Sequence, residues 1–205
     1  MTDSFSRYDV YAVTGSHYCY PDTSVLKNHF GLRDAVHLKK IEADISVIRQ
    51  NDLLEHPIAG RFTAAHLCTI HRYLFGDVYS FAGRFRREDI MKGRTRFLAH
   101  QQISEKLKML LEELHSENLL KNTPTEKFLQ CVAYYFAELN YIHPFQEGNG
   151  RATREFTRQL FLLNGYEVDW GAVSVKRFLH AMEESVYDTG ELERVLQECL
   201  RNAEM

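Results

Sequence analysis

The segment "HPFQEGNGRATR", residues 143 to 154, places a dense set of polar side chains between two apolar stretches. Gly148, Asn149 and Gly150 allow a tight turn, and the pattern that follows predicts a helix starting at once. Main-chain N–H groups that converge at a helix start, together with the positive end of its dipole, form an anion site suited to phosphate. The segment therefore predicts a phosphate-binding turn.

Four charged or titratable side chains of the same segment add to this site. Arg151 and Arg154 lie three residues apart in the first turn of the next helix, so they share a face but oppose its dipole. Stability alone does not explain that placement, whereas a bound polyphosphate would neutralise both cations. Glu147 is the type of carboxylate that holds Mg²⁺ beside phosphates, and His143 exchanges a proton near neutral pH. The set predicts phosphoryl or nucleotidyl transfer.

The helix before the turn must end where the chemistry begins. Pro144 disfavours helical backbone at His143, so the helix predicted over "TPTEKFLQCVAYYFAELNYI" should end there. This stretch is almost wholly apolar from Phe128 to Leu139, which predicts a central buried helix. Thr123 and Glu126 match a capping box at its start. Phe145 is expected to point inward as an anchor.

The rest of the chain predicts an all-α architecture with one small hairpin. Residues 1–33 read as an irregular N-terminal arm, and residues 34–205 as one helical domain. N-caps are predicted at Asp34 and Thr63, a C-cap at Asn164-Gly165, and two last helices over about 174–187 and 190–202. "FRREDIMKGRTRF" predicts two short strands around a turn near Lys92-Gly93. An apolar stripe on the first helix is predicted from Val36, Ile41, Ile45 and Ile48.

Composition narrows the function classes. The 205 residues carry a formal net charge of -3, which gives no overall attraction to nucleic acid or anionic lipid. No apolar run reaches the roughly 20 residues of a membrane span, and the N-terminus lacks the pattern of a cleaved signal. Four scattered cysteines without a CxxC pair favour a reducing compartment. We therefore expect neither a membrane nor a direct nucleic-acid partner.

Read as a whole, "HPFQEGNGRATR" resembles the signature of the Fic (filamentation induced by cAMP) family, His-Pro-Phe-x-(Asp/Glu)-Gly-Asn-Gly-Arg-x-x-Arg, at every defined position. The resemblance extends over roughly residues 35–195. The hairpin "REDIMKG" looks like the family's target-docking flap. The arm "YCYPDTSVLKNHFG" is similar to the segment that leads into the domain in bacterial Fic toxins and injected effectors.

The resemblance implies a Fic fold, a helical bundle around a central buried helix with a β-hairpin flap, and protein AMPylation with ATP and Mg²⁺. It makes His143 the general base, Glu147 the Mg²⁺ ligand, Arg151 the clamp on the β-phosphate and Arg154 the clamp on the γ-phosphate. The ATP-binding residues it implies are Phe145, Glu147, Gly148, Asn149, Gly150, Arg151, Arg154, Lys92 and Gly93. The flap it implies comprises Asp89, Ile90, Met91, Lys92, Gly93 and Arg94. Residues around 178–185 are expected to close over the adenine.

The resemblance also indicates how the enzyme is regulated. Many Fic proteins carry an inhibitory helix of the form Ser/Thr-x-x-x-Glu-Gly/Asn, whose glutamate pairs with the second arginine of the motif. Here "SVIRQN" has Gln50 in the glutamate position, and in "TGELER" Glu193 is followed by Arg194. The resemblance therefore implies a separate small antitoxin that contacts Arg154. Toxins of this type modify type II topoisomerase subunits and injected effectors modify host GTPases, so the expected site of action is the bacterial cytoplasm or, after export, a host cell.

Several alternatives remain. Relatives of this fold transfer phosphate or phosphocholine, or remove AMP, although the intact Gly-Asn-Gly-Arg favours AMP transfer. A module that binds a phosphorylated ligand without chemistry has no need of a base and a metal ligand beside its anion site. His66 and His71 are five residues apart and do not suit a metal site on one helix face, so they are interpreted as ordinary residues.

Overall fold

The computed structural model of this chain describes residues 16–92 and 95–202. The turn of the hairpin at 93–94 lies outside this range, as do the expectations for Gly93 and Arg94. The main helices and strands are, in chain order, α1 (Ala35–Glu55), α2 (Ala64–Phe75), β1 (Met91–Lys92), β2 (Thr95–Arg96), α3 (Ile103–Ser116), α4 (Thr125–Ile142), α5 (Asn149–Leu163), β3 (Tyr166–Val168), α6 (Val175–Glu184), α7 (Gly190–Cys199) and β4 (Leu200–Asn202). The predicted helical architecture with a hairpin is confirmed.

Local capping chemistry sets most helix ends as the sequence predicts. The Asp34 carboxylate accepts the His37 N–H at 2.7 Å, and Thr63 caps α2 in the same way. Asn164 and Gly165, the latter at a φ of 80°, end α5. The capping box predicted at Thr123 is wrong, because α4 begins after Pro124 without a side-chain cap.

The core surrounds α4 and α5. One face of α4 is buried through eight residues from Phe128 to Ile142, and α5 is enclosed on nearly all sides by α2, α4 and β3. Many of the buried residues of α5 are polar or charged, and they include the two arginines of the motif, Arg151 and Arg154. The helix that carries the arginines is therefore the most enclosed one among the described residues.

The predicted apolar stripe of α1 is wrong in part. Val36 and Ile48 are 77% and 66% exposed, whereas the face that packs inward carries Glu42 and Ser46. Two charged or polar groups on an inner face point to a partner within the molecule. That partner lies on α5, as the site shows.

The C-terminal end also differs from the prediction. The last helix stops at Cys199, and residues 200–202 form β4, which pairs antiparallel with β3 through Val168 opposite Leu200. Within residues 16–92 and 95–202, no helix combines the length and apolar character that crossing a bilayer requires.

The described part of the arm packs on this helical body. Tyr18, Cys19 and Val25 are buried, and the Tyr18 hydroxyl accepts the Arg87 N–H at 3.0 Å. Glu88 accepts hydrogen bonds from the Ser16 hydroxyl and from the His17 N–H. The arm therefore braces the chain just before the hairpin, while the division into an arm and a domain at residue 34 stays a prediction.

Candidate active site

The turn between α4 and α5 has the shape that the sequence predicts. The last helical residue of α4 is Ile142, and His143 adopts a left-handed conformation at a φ of 47° while its N–H still bonds to Leu139 O at 3.0 Å. The chain then reverses and Gly148, at a φ of 79°, precedes the first turn of α5. The first N–H groups of α5 lack partners within the helix, as at every helix start. The predicted anion-binding turn therefore has its helical start in place.

Gly148 must be glycine for two reasons. Its positive φ strains any residue with a Cβ, and a Cβ built there would lie 2.4 Å from the ring of Phe75. Gly150 is less constrained, since a Cβ there meets Arg154 only at 3.7 Å. The close approach to Phe75 keeps the turn tight against α2.

Asn149 holds the turn from within. Its side-chain oxygen accepts the Phe145 N–H at 2.8 Å, and its amide nitrogen donates to Phe145 O at 2.7 Å. The side chain of Asn149 is thus bound to the main chain of the loop. Its main-chain N–H lies at the start of α5. Phe145 is buried as predicted and packs against the core.

His71 of α2 holds the turn from outside. Its Nε2 donates to Glu147 O at 2.7 Å, its Nδ1 accepts the Gly83 N–H at 2.9 Å, and its ring stacks on Phe145 at 3.8 Å. Because a carbonyl only accepts and an N–H only donates, both contacts require a neutral ring with the proton on Nε2. Complete burial lowers the pKa of His71 to about 3. The sequence reading of His71 as an ordinary residue overlooked this role.

His143 is held with one nitrogen turned away from the cleft. Its Nδ1 lies 2.9 Å from Asn140 O, and its ring stacks on Phe97 at 3.8 Å. Since the carbonyl accepts, Nδ1 carries the proton in the neutral ring and Nε2 carries the lone pair. A general base requires this tautomer.

The two arginines of the motif line one cleft but are held differently. The Arg151 guanidinium donates to Glu42 and to the Ser46 hydroxyl, lies 4.5 Å from the centre of the Phe75 ring and 3.7 Å from Glu147. The Arg154 guanidinium lies 5.9 Å from the centre of the Phe178 ring. Arg151 is therefore fixed by α1 and α2, and Arg154 lies beside α6.

Glu42 and Ser46 are site residues that sequence reasoning missed. Glu42 accepts hydrogen bonds from both Arg151 and the Tyr79 hydroxyl, and burial raises the pKa of Tyr79 well above its usual value. The apolar stripe predicted for α1 concealed them, because Val36 and Ile48 are exposed and the inner face carries Glu42 and Ser46.

A cleft opens between the turn, the flap and α6, and the space in it that water-sized molecules can reach is about 90 Å³. The residues that line it are Lys92, Phe97, Phe136, Asn140, His143, Gly150, Arg151, Thr153, Arg154, Phe178, Leu179, Met182, Glu183 and Val186. Its apolar wall on α6 and just beyond lies where the resemblance places the adenine.

The hairpin is confirmed as a pair of short strands, with Met91 opposite Arg96 and Lys92 opposite Thr95. Its inner side carries Lys92, which lines the cleft, and a small buried cluster of Ile90 and Phe97. Asp89 is bound at the base of the hairpin to the N–H and ring of His100, which lowers the pKa of its carboxyl group.

Two glycines with nearly the same positive φ, one in open space and one against Phe75, provide a matched test of the turn. Gly165→Ala has open space at a φ of 80° and should lower the free energy of unfolding by about 1–2 kcal/mol. Gly148→Ala should lower it by about a further 1–3 kcal/mol, because its Cβ also meets Phe75. Urea unfolding of both variants measures the difference. Equal losses would show that the contact with Phe75 does not constrain the turn.

His71 should make stability depend on pH. Its folded pKa, about 3, lies below the usual 6.5, so below pH 6.5 the unfolded state binds a proton that the native state does not. The stability advantage of the wild type over His71→Gln should therefore shrink by about 2 kcal/mol from pH 7 to pH 5. Denaturant unfolding at both pH values measures it.

The control for this experiment is His37→Gln, at a histidine whose side chain is 75% exposed. That substitution removes an exposed ring and should not reproduce the change of about 2 kcal/mol. A His71→Gln difference that stays constant from pH 7 to pH 5 would contradict a neutral, buried ring.

Comparison with known proteins places this site in a family. The model of the Fic/DOC family matches residues 61–161. Protein adenylyltransferase VbhT of Bartonella schoenbuchensis is 38% identical over 175 residues, which cover 85% of this chain and 37% of that protein. The chain thus spans little more than a third of VbhT's length.

A second relative matches almost end to end. The probable protein adenylyltransferase Fic of Salmonella typhimurium is 32% identical over 187 residues, covering 91% of this chain and 92% of that protein. Among solved structures, BepC, a VirB-translocated effector protein of Bartonella tribocorum with bound AMPPNP, has a TM-score of 0.85 at 27% identity, covering 91% of this chain and 97% of that chain. The chain therefore belongs to the Fic/DOC family, and its enzyme class is that of the protein adenylyltransferases.

Proposed function

We propose that this enzyme transfers AMP from ATP to a Ser, Thr or Tyr hydroxyl of a target protein and releases pyrophosphate. The observation that carries the proposal is that His143, with Nδ1 bound to Asn140 O, lines the same cleft as Gly150 and the two motif arginines. A base beside an anion site suits the attack of a hydroxyl on a phosphate. The AMPPNP named for the BepC structure supports a nucleotide in this cleft.

The proposed reaction assigns one step to each of these groups. The target hydroxyl gives its proton to Nε2 of His143, and its oxygen attacks the α-phosphorus. The bond between the α-phosphorus and the bridging oxygen breaks, and pyrophosphate leaves with that oxygen. The first N–H groups of α5 stabilise charge on the phosphates, while Arg154 holds the γ-phosphate away from the base so that attack is in line.

The sequence suggests that Arg151 needs a phosphate to balance its charge, but acidic side chains of the protein already surround it. Glu42 and Glu147 already balance its charge, and Ser46 and Phe75 fix its guanidinium in place. We propose that it meets the β-phosphate as a fixed, partly neutralised donor. Rigid donors stabilise developing charge without reorganisation.

Glu147 fits the proposed Mg²⁺ site. It lies at the start of α5, 3.7 Å from Arg151, and its Oε1 accepts the Gly148 N–H. Within residues 16–92 and 95–202, no group of three or more His, Cys, Asp or Glu side chains could hold a metal by itself. That arrangement suits Mg²⁺, which uses one or two carboxylates and takes its remaining ligands from phosphates and water. Glu147 would hold the ion, and a bound Mg²⁺ would neutralise phosphate charge.

The flap is proposed to hold the target. Its inner side, Ile90 and Phe97, lies over His143 through the stacking of Phe97 on the imidazole. A segment that pairs with the edge of β1 by main-chain hydrogen bonds would bring its hydroxyl toward His143. This pairing suits an extended loop of a type II topoisomerase subunit or of a host GTPase.

Regulation by a separate small antitoxin is proposed from the missing inhibitory motif. Gln50 occupies the position where an internal inhibitor needs a glutamate, and Glu42, a glutamate of α1, binds Arg151. Arg154 is proposed to form an ion pair with a glutamate of the antitoxin. The enzyme would then be a toxin of the bacterial cytoplasm, and the alternative is an injected effector, which the Bartonella effector structure favours.

The transfer reaction is tested with labelled ATP in bacterial lysate. The wild type should label a target band whose intact mass rises by AMP, which is much heavier than phosphate. His143→Ala should lose at least about 10²-fold in transfer, because the base is gone, while its ATP affinity stays within about twofold. His37→Ala, at an exposed histidine, is the control for histidine loss.

Two results would overturn this proposal. If His143→Ala loses ATP affinity and no variant transfers AMP, the cleft is a binding module. A mass increase equal to phosphate would assign a different transfer.

The antitoxin proposal is tested by expression of the chain alone in bacteria. Wild-type chain should arrest growth, because neither "SVIRQN" nor "TGELER" matches the inhibitory motif, and His143→Ala should not. A wild-type chain that is harmless and silent in transfer, yet binds ATP, would show that inhibition is internal.

A further inference from the structure

Arg86 is a buried arginine whose guanidinium contacts main-chain carbonyls of three chain segments. Nε donates to His143 O at 2.9 Å, Nη1 to Glu88 O at 2.7 Å, and Nη2 to Leu98 O and, at 3.3 Å, to Ile142 O. The main-chain N–H of Arg86 adds a bond to Pro144 O at 2.8 Å. One residue thus joins the start of the flap, its end and the catalytic turn.

The carbonyl oxygens take the place of a carboxylate partner. The nearest acidic group, Asp89, lies 3.8 Å away, is 59% exposed and also binds His100. A buried cation without a close ion pair is costly unless other dipoles compensate it. The last carbonyls of α4, at the negative end of the helix dipole, supply that compensation. The cation is therefore placed where it caps α4 next to His143.

The shape of the guanidinium suits this position and that of lysine does not. Arginine offers five donors in a rigid planar fork, so it can reach several carbonyls at once. Lysine offers three donors from one point on a flexible stem, and cannot span the distance between Glu88 O and His143 O in the same way. Arg86→Lys therefore keeps the charge and removes the bridge.

Two further contacts tie the flap to the catalytic turn at the same place. The Leu98 N–H donates to Tyr141 O at 3.2 Å, and the Phe97 ring stacks on the His143 imidazole. Both lie at the end of the flap whose carbonyl Arg86 holds. A shift of this end would move the ring that packs against the base.

We propose that Arg86 is a positioning residue that sets the register of the target-docking flap against His143. This inference rests on the proposed function, since it assigns Arg86 to the target side of the AMP transfer and not to the nucleotide side. Arg86 touches neither substrate in this arrangement and acts through the main chain of His143, Glu88 and Leu98.

The test compares Arg86→Lys with Arg84→Lys, a change at an exposed arginine two residues earlier. In hydrogen exchange on the full chain, Arg86→Lys should speed exchange in residues 86–92, 95–98 and 141–145 at least about tenfold and leave α3 and α7 unchanged. Affinity for AMPPNP should stay within about twofold. Transfer from labelled ATP to lysate proteins should fall at least about tenfold, and Arg84→Lys should match the wild type.

Three results would contradict the proposed role of Arg86 or the proposed function. Faster exchange throughout the chain, or AMPPNP affinity that falls as much as transfer, would make Arg86 a residue of general stability and overturn the proposal. Unchanged transfer would overturn it as well. If the wild type transfers no AMP at all, the proposed function fails, while exchange and AMPPNP affinity still decide whether Arg86 couples the flap to the turn.

If Arg86→Lys does not fold, the proposal can be tested on the wild type by NMR of the Arg86 side chain. The Arg86 Nε–H resonance should exchange slowly with solvent and should shift with the same midpoint as the ring protons of His143 in a pH titration. An Nε–H that exchanges freely, or does not respond to His143, would overturn the proposal.

Discussion

The hydrogen bonds that hold the main chain between α4 and α5 are the constraint on which the site depends. His71 binds Glu147 O, Asn149 binds both main-chain groups of Phe145, and Arg86 binds the carbonyls of Ile142 and His143. Because these contacts use main-chain atoms, the imidazole and the arginines of the turn keep their side chains on the cleft. The path of the main chain through the turn is therefore set by contacts within the chain itself.

The same turn buries the positive charges of Arg151 and Arg154 at the start of α5. The positive charges on α5 lie at the start of a helix, where the dipole disfavours them, and are enclosed by the core. Glu42 of α1 offsets this for Arg151, and a polyphosphate is the proposed counter-charge for Arg154. His71 supports the turn without adding a charge, because burial keeps its ring neutral. Within the enclosed α5, Arg151 is thus held by an acidic partner from α1.

Local patterns predicted the parts of the fold and site that depend on neighbouring residues. The helix end at His143, the N-cap at Asp34 and the hairpin each follow from a few adjacent side chains. What the sequence could not reveal are contacts between distant segments. Arg151 meets Glu42 across 109 positions, and His71 meets Glu147 across 76. The pairing of β4 with β3 was missed for the same reason, since the partner strand decides it.

The most direct test of a preformed triphosphate site is a crystal structure with AMPPNP and Mg²⁺. The phosphates should lie against the first N–H groups of α5, with Arg154 on the terminal phosphate and Nε2 of His143 facing the α-phosphorus. The turn should keep its contacts to His71 and Asn140. A nucleotide bound elsewhere, or a turn that abandons those contacts to admit it, would contradict the account.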